Sequence, residues 1–308
     1  MIDLKKRIFI TWVTWFVGAN LLHRLISLWA NDLHVLIRDG SNLSRIDNIK
    51  DKVIFYKFSL ENREETLQNI KEIQPQIIYH LAAAGTAVGR APLGIDDLIR
   101  MNTLGLIHLI DAAVEIGCEC FVNTGSSSEY GQKNAPMSED DIIEPNNNYA
   151  ISKATATQYV SFIGKQKLFT SVTFRLFSVY GPLEDQGRLI PTLVQNYKDW
   201  IVPQLSSPNS VRDFIYIDDV IDCFLEANRA CKYNGDIFNI WIWSQYSIWE
   251  VVSILKQITS STLDPVYWQK KVNQHEPKYW LANNEKMKTI LGVYPRSLKE
   301  GLLQTIEW

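Results

Sequence analysis

The chain has 308 residues, 46% of them apolar and 21% charged, with a formal net charge of −3. These proportions are ordinary for a folded cytosolic protein, and the length predicts a large domain plus a smaller lobe. The absence of any basic block or stripe excludes nucleic acid as the main partner, and no run approaches the roughly 18 apolar residues of a membrane span.

Ile8-Phe-Ile-Thr11 predicts a first strand, followed by a helix from Phe16 to Trp29. Leu33 to Arg38 and Val53 to Phe58 predict two more strands, and Glu61 to Ile73 an amphipathic helix. Gln76 to Ala82 is almost continuously apolar, as a strand covered on both faces should be. A long helix is predicted over Ile95 to Ile116, a fifth strand over Cys120 to Thr124, a helix over Asn147 to Lys167 and a sixth strand over Val172 to Phe177. Strands separated by helices of this length imply right-handed crossovers and a parallel sheet. Beyond Pro182 the pattern loosens into short helices, a strand at Asp213 to Ile217 and a final helix at Leu298 to Glu307. The expected fold is therefore α/β, a Rossmann-type doubly wound parallel sheet over residues 1–181, with a smaller mixed C-terminal lobe over 182–308 from which some segments return to the first domain.

Four cysteines (Cys118, Cys120, Cys223 and Cys231) are too few and too scattered for a disulfide framework, and no zinc spacing follows the Cys118/Cys120 pair. Buried or idle thiols in a reducing compartment are expected, with no metal site. The start, Met1-Ile-Asp-Leu-Lys-Lys-Arg7, has no signal-peptide pattern, so the cytoplasm is the expected location.

After the first strand the chain reads Ile10-Thr-Trp-Val-Thr-Trp-Phe-Val-Gly18. A dinucleotide-binding turn needs one glycine for the tight turn, one for backbone approach to the pyrophosphate and one for helix–strand packing. Only Gly18 is present, and Trp12 and Trp15 stand where the other two belong. Phe238-Asn-Ile-Trp-Ile-Trp243 resembles an F-N-I-G-x-G run of the short-chain dehydrogenases, a resemblance that implies glycine where Trp241 and Trp243 stand. Glycine totals 15 residues, about 5% against a usual 7%, while tryptophan reaches ten. Drift rarely exchanges the smallest residue for the largest at several motif positions. A UGA codon decoded as glycine in the source and written here as tryptophan accounts for the pattern. The alternative is a cofactor-free paralogue with indoles plugging its pocket.

Tyr149-Ala-Ile-Ser-Lys153 places Tyr149 and Lys153 one helical turn apart on one face. The preceding strand ends in Thr124-Gly-Ser-Ser-Ser-Glu-Tyr-Gly131, which supplies hydroxyls. Keeping a phenol of pKa about 10 as a phenolate at neutral pH costs about 4 kcal/mol, and a neighbouring Lys153 ammonium and an oxidised nicotinamide both favour the phenolate.

These runs, with His80-Leu-Ala-Ala83, Asn102, Arg175 to Pro182, Arg212 to Asp219 and Tyr279 to Trp308, resemble an extended short-chain dehydrogenase/reductase of the NAD-dependent epimerase/dehydratase family over essentially the whole chain. The resemblance implies that Tyr149 is the acid/base at a sugar hydroxyl, that Lys153 holds the cofactor ribose and tunes Tyr149, and that Ser126 supplies the catalytic hydroxyl. It places the cofactor against Trp12, Trp15, Phe16, Val17, Gly18, Arg38, Leu81, Ala82, Asn102, Tyr149 and Lys153, and the nucleotide-sugar against Ser127, Ser178 and Arg212. Ser127 and Ser128 replace the acidic pair of the dehydratases, which argues against water elimination, and Asn273 replaces a second phosphate-binding Arg. An acidic residue ending the second strand selects NAD, whereas Arg welcomes a 2′-phosphate. Here Arg38 and Ser41 lean toward NADP, and Asp39 keeps NAD open. The resemblance implies a homodimeric nucleotide-sugar epimerase working by transient oxidation, most simply at C4. A 4-keto-sugar reductase is the alternative.

Overall fold

A computed structural model describes residues 1–85, 93–166, 169–269 and 280–308. Asn273, Tyr279 and the expected helix end at Lys167 lie outside the described residues. The strands are β1 (Ile8–Thr11), β2 (Leu33–Ile37), β3 (Ile54–Lys57), β4 (Ile77–His80), β5 (Cys120–Ser126), β6 (Ser171–Leu176), β7 (Ser178–Tyr180), β8 (Val211–Tyr216), β9 (Ile237–Ile240) and β10 (Gln245–Ser247). The helices are α1 (Phe16–Ser27), α2 (Arg63–Ile73), α3 (Ile95–Leu98), α4 (Gly105–Glu115), α5 (Asn148–Lys165), α6 (Leu189–Lys198), α7 (Ile217–Leu225), α8 (Ala227–Ala230), α9 (Ile248–Thr259) and α10 (Leu298–Glu307). Among the described residues no helix is long and apolar enough to cross a membrane.

Seven strands form an all-parallel sheet in the order β3-β2-β1-β4-β5-β6-β9. The order reverses between β1 and β4, and in such sheets the ligand crevice opens at the carboxyl ends of those strands. The buried strands β1, β2 and β4 are apolar at nearly every position because helices cover both faces. On one face α2, α4 and α5 enclose Phe9, Ile70, Leu109, Phe121 and Val160. On the other, a core containing Leu22, Phe224 and Phe238 continues without a break to Leu193, Phe214, Val251 and Leu302. The expected smaller lobe thus shares the core of the sheet. Its own small sheet has the order β10-β8-β7, and β9 crosses back to extend the large one.

Two expectations are corrected. The single helix predicted over Ile95–Ile116 is α3, a π-helical stretch (Ile99–Leu104) and α4. The wider turns direct the Asn102 amide onto the Ala84 backbone, accepting from its N–H at 2.6 Å and donating to its carbonyl at 2.8 Å. The cysteines are not all free thiols: Cys120 and Cys231 form a disulfide with Cα atoms 6.5 Å apart, while Cys118 and Cys223 are free and buried.

A buried ion pair stands at the carboxyl end of β5. Arg175 Nε donates to Glu129 Oε2 at 2.8 Å, with both side chains almost wholly removed from solvent. The Arg175 guanidinium also lies over the Tyr130 ring at 4.5 Å. Glu129 Oε1 accepts from the Ser126 N–H at 2.7 Å and from the Thr157 hydroxyl at 3.0 Å. Removing one member of such a pair leaves an uncompensated buried charge. Arg175→Leu is expected to lower the unfolding free energy by about 3–5 kcal/mol, measured by chemical denaturation.

Candidate active site

A cleft of about 710 Å³ opens over the carboxyl ends of β1, β4 and β5 and reaches into the lobe. A second, of about 400 Å³, lies beside the end of β2. Trp12 and Ala83 line both. The Trp12 and Trp15 rings stack with centroids 5.0 Å apart, and the Arg38 guanidinium sits 5.2 Å over Trp12.

The turn from β1 into α1 shows why Gly18 is required. A Cβ there would lie 2.5 Å from the Trp12 carbonyl oxygen and 2.9 Å from Val13 Cα. Helix α1 starts with no side-chain cap and no acidic residue in its first turn. Its N–H groups and positive dipole end are therefore available to an anion.

On the opposite wall, Tyr149 on α5 and Ser126 at the end of β5 both line the cleft, the Ser126 hydroxyl lying 2.7 Å from that of Ser128. Burial raises the Tyr149 pKa above that of an ordinary phenol, with Glu129 adding to the effect. The Ser126 hydrogen bond and the Arg188 charge pull the other way without overcoming it. Without a bound cofactor the protein therefore favours the neutral phenol. Lys153, one turn further along α5, is almost wholly buried and donates from Nζ to the Thr124 carbonyl at 2.6 Å. Burial pulls its pKa down to about 8, opposed by the Glu129 charge.

Of the other expected site residues, Phe16, Val17, Gly18, Leu81, Ser178 and Arg212 line the larger cleft. Arg38 and Ala82 line the smaller one. Two are not brought to either cleft. Asn102 is buried, its amide held by Ala84 and by the Ser152 hydroxyl at 2.9 Å, so it supports the cleft wall from behind. Ser127 is buried at the start of a short 3₁₀ turn. Arg212 Nη1 donates to the Val211 carbonyl at 2.6 Å. At the end of β2, the Ser41 hydroxyl accepts from the Arg38 N–H at 3.0 Å, and Asp39 pairs with Lys57 at 3.2 Å.

The loop after β7 brings residues that sequence reasoning missed. Glu184 and Arg188 line the larger cleft. Arg45 clamps this loop to the β1–α1 turn, donating to the Leu183 and Thr14 carbonyls at 2.8 and 3.2 Å and to Asp185 Oδ1 at 2.6 Å. The Tyr180-Gly-Pro182 run announces the turn, but no local pattern shows that the next acid faces a cavity.

These residues suit a dinucleotide in most respects. The uncapped helix start, the crowded Gly18, Lys153 in the cleft wall and Arg38 at the end of β2 all suit one. The indoles of Trp12 and Trp15 do not, since they cover the place where backbone must approach a pyrophosphate.

Residues 8–240 match the NAD dependent epimerase/dehydratase family. The chain is 27% identical over 333 residues to the human dTDP-D-glucose 4,6-dehydratase, covering 98% of this chain and 89% of that one. It is 26% identical over 247 residues to the dTDP-4-dehydro-6-deoxyglucose reductase of Escherichia coli, covering 77% and 76%. Its fold superimposes with a TM-score of 0.84 on a UDP-glucuronic acid 4-epimerase from Bacillus cereus, solved with UDP-glucuronic acid and NAD, at 24% identity and covering 98% of each chain.

Burial pushes the Glu184 carboxyl up to about 8 from 4.5. The folded protein therefore binds more protons at this site than the unfolded chain between those values, and stability falls as pH rises through that window. Glu184→Gln is expected to flatten the decline of the denaturation midpoint between pH 5 and 8, read from thermal melts of both proteins across that range.

Proposed function

Because the chain belongs to the NAD-dependent epimerase/dehydratase family, we propose that it is a nucleotide-sugar 4-epimerase, reversibly oxidising one sugar carbon and restoring it with inverted configuration. The single observation that carries this reading is the gathering of Ser126, Tyr149 and Lys153 in one cleft wall, with Ser127 and Ser128 following Ser126. Elimination of water needs an acid near that hydroxyl. Ser127 and Ser128 cannot supply one, Glu129 is committed to Arg175, Thr157 and the Ser126 N–H, and the acids that line the cleft, Glu184 and Asp185, come from the loop after β7.

The substrate is a nucleoside diphosphate sugar. Arg212 offers its diphosphate a planar, always charged guanidinium, while Ser178 lies where a sugar hydroxyl would be met. Tyr149 takes the proton from the C4 hydroxyl and returns it, with Ser126 holding the same oxygen by hydrogen bonding. Lys153 is placed for the ribose hydroxyls of the cofactor, and its charge adds to the pull on the phenol once the cofactor covers it. When bound, the nicotinamide supplies the two-electron oxidation of the sugar carbon. Its positive charge also favours the phenolate that burial alone opposes.

Arg38 at the mouth of the smaller cleft supports NADP, and Asp39 leaves NAD open. That same arginine supports a second reading, a 4-keto-sugar reductase consuming NADPH, as does the likeness to the E. coli reductase.

Incubation of the protein purified from its own source with catalytic NAD or NADP and a panel of UDP- and dTDP-hexoses, followed by NMR of the products, is expected to give the C4 epimer with no net change in cofactor. A 4-keto-6-deoxy sugar would move the assignment to dehydratase. Stoichiometric loss of NADPH with a 4-keto substrate would move it to reductase. Tyr149→Phe is expected to lower turnover by about 10²–10⁴-fold with little change in nucleotide-sugar affinity; activity near that of the parent removes Tyr149 from the mechanism.

A further inference from the structure

Fourteen described residues have clearly positive φ, and six of them are glycines. Of the eight others, five are tryptophan: Trp12 (65°), Trp29 (68°), Trp200 (56°), Trp243 (72°) and Trp268 (67°). Tryptophan supplies only ten of the 308 residues. It is also a poor choice for this region, where side chains other than Asn, Asp and His are uncommon and bulky ones are strained. The remaining three are Gln74, Leu183 and Ser260, one residue each.

Two of the five positions are helix C-termini whose hydrogen bonds specify glycine. After α1, the Ala30 N–H donates to the Leu25 carbonyl at 3.0 Å and the Trp29 N–H to Ile26 at 3.0 Å. This is the double bond pattern that a left-handed residue just past the helix makes, and glycine is its usual occupant. Helix α4 ends in the same way with a glycine: Cys118 bonds to Ala113 at 2.9 Å and Gly117, at φ 70°, to Val114 at 3.2 Å. After α6, the Ile201 N–H reaches the Asn196 carbonyl at 2.8 Å around Trp200. Packing gives nothing back, since Trp29 is 89% exposed, Trp200 67% and Trp268 64%.

Two further tryptophans are unsuited in other ways. Trp15 is the N-cap of α1 and makes no capping bond, at a position that accepts glycine readily. Trp241 is fully buried with its indole N–H unpartnered, an arrangement that costs free energy.

We infer that these seven positions are glycine in the functional polypeptide, the codon written here as tryptophan being decoded as glycine in the source, and that the two clefts are one continuous groove. Trp12 lines both, together with the small Ala83. With glycine at 12 and 15 the groove runs from Arg38 at the end of β2, across the free N-terminus of α1, to Tyr149 and Lys153. The decoding itself stands on Trp29, Trp200 and Trp268, none of which lines either cleft; the groove rests on the dinucleotide reading given above.

The decoding is tested on the protein purified from its own source, by tandem mass spectrometry of peptides spanning residues 29, 200 and 268. Glycine is expected at each, and tryptophan there overturns the inference. Backbone preference is tested separately in recombinant protein bearing the tryptophans. Trp29→Gly and Trp200→Gly are expected to raise the denaturation midpoint, whereas Trp249→Gly, inside α9 at an ordinary φ, lowers it. A fall of equal size for all three overturns the claim that these are glycine positions. Calorimetric titration with NAD and NADP then compares the tryptophan chain, expected not to bind, with the chain carrying glycine at all seven positions, expected to bind at micromolar or better affinity. Confirmed glycine with no binding would leave the decoding standing and overturn the groove and the cofactor reading with it.

Discussion

The geometry of the cleft depends on one buried carboxylate. Glu129 binds Arg175 on β6, Thr157 on α5 and the backbone N–H of Ser126 at the end of β5. Those elements carry, or are continuous with, the groups that meet at the cleft: Ser126 itself, and Tyr149 and Lys153 on α5. An ion pair stripped of water adds little net stability over an apolar replacement, because desolvation consumes most of the Coulomb gain. Its value here is positional. A carboxylate with three donors at fixed directions admits one arrangement of strand end and helix, and the hydroxyl and phenol are set against each other as a result. The same three bonds occupy both oxygens of Glu129.

The sheet was legible from the sequence because its central strands are buried on both faces and bounded by helices. Ile8–Thr11 and Leu298–Glu307 match their predicted bounds. The final helix also carries Ser297 and Glu300 in a capping box, a signal visible in four letters. The lobe was harder to read. β7 and β10 are three residues each, too short for alternation to register, and β9 belongs to a sheet whose other strands lie far upstream. The π-helical stretch has the same apolar content as the α-helix around it, so no pattern separates them. The Cys120–Cys231 bond joins residues 111 apart in sequence, a separation that spacing rules do not reach.

At the site, the Tyr149–Lys153 spacing on one helix face was readable, and so was the demand for glycine after β1. Asn102 was assigned to the cofactor because it sits in a recognisable run, yet its amide is spent on the Ala84 backbone and Ser152. Motif membership does not say which way a side chain points. Glu184 and Arg188 reach the cleft from an irregular loop that is positioned by Arg45, more than a hundred residues earlier. The tryptophans show the converse. Their side chains conflict with the motif, while the backbone at several of them keeps the conformation that glycine would adopt.

The place of β9 has a consequence for synthesis. The parallel sheet from β3 to β6 is complete once residue 176 has left the ribosome, but β6 then ends the sheet with its outer hydrogen-bonding edge bare. The strand that covers it, Ile237–Ile240, is made some sixty residues later. Through that interval the nascent chain displays an unpaired edge, Ser171-Val-Thr-Phe-Arg-Leu176, whose bare backbone groups are open to pairing with neighbouring chains.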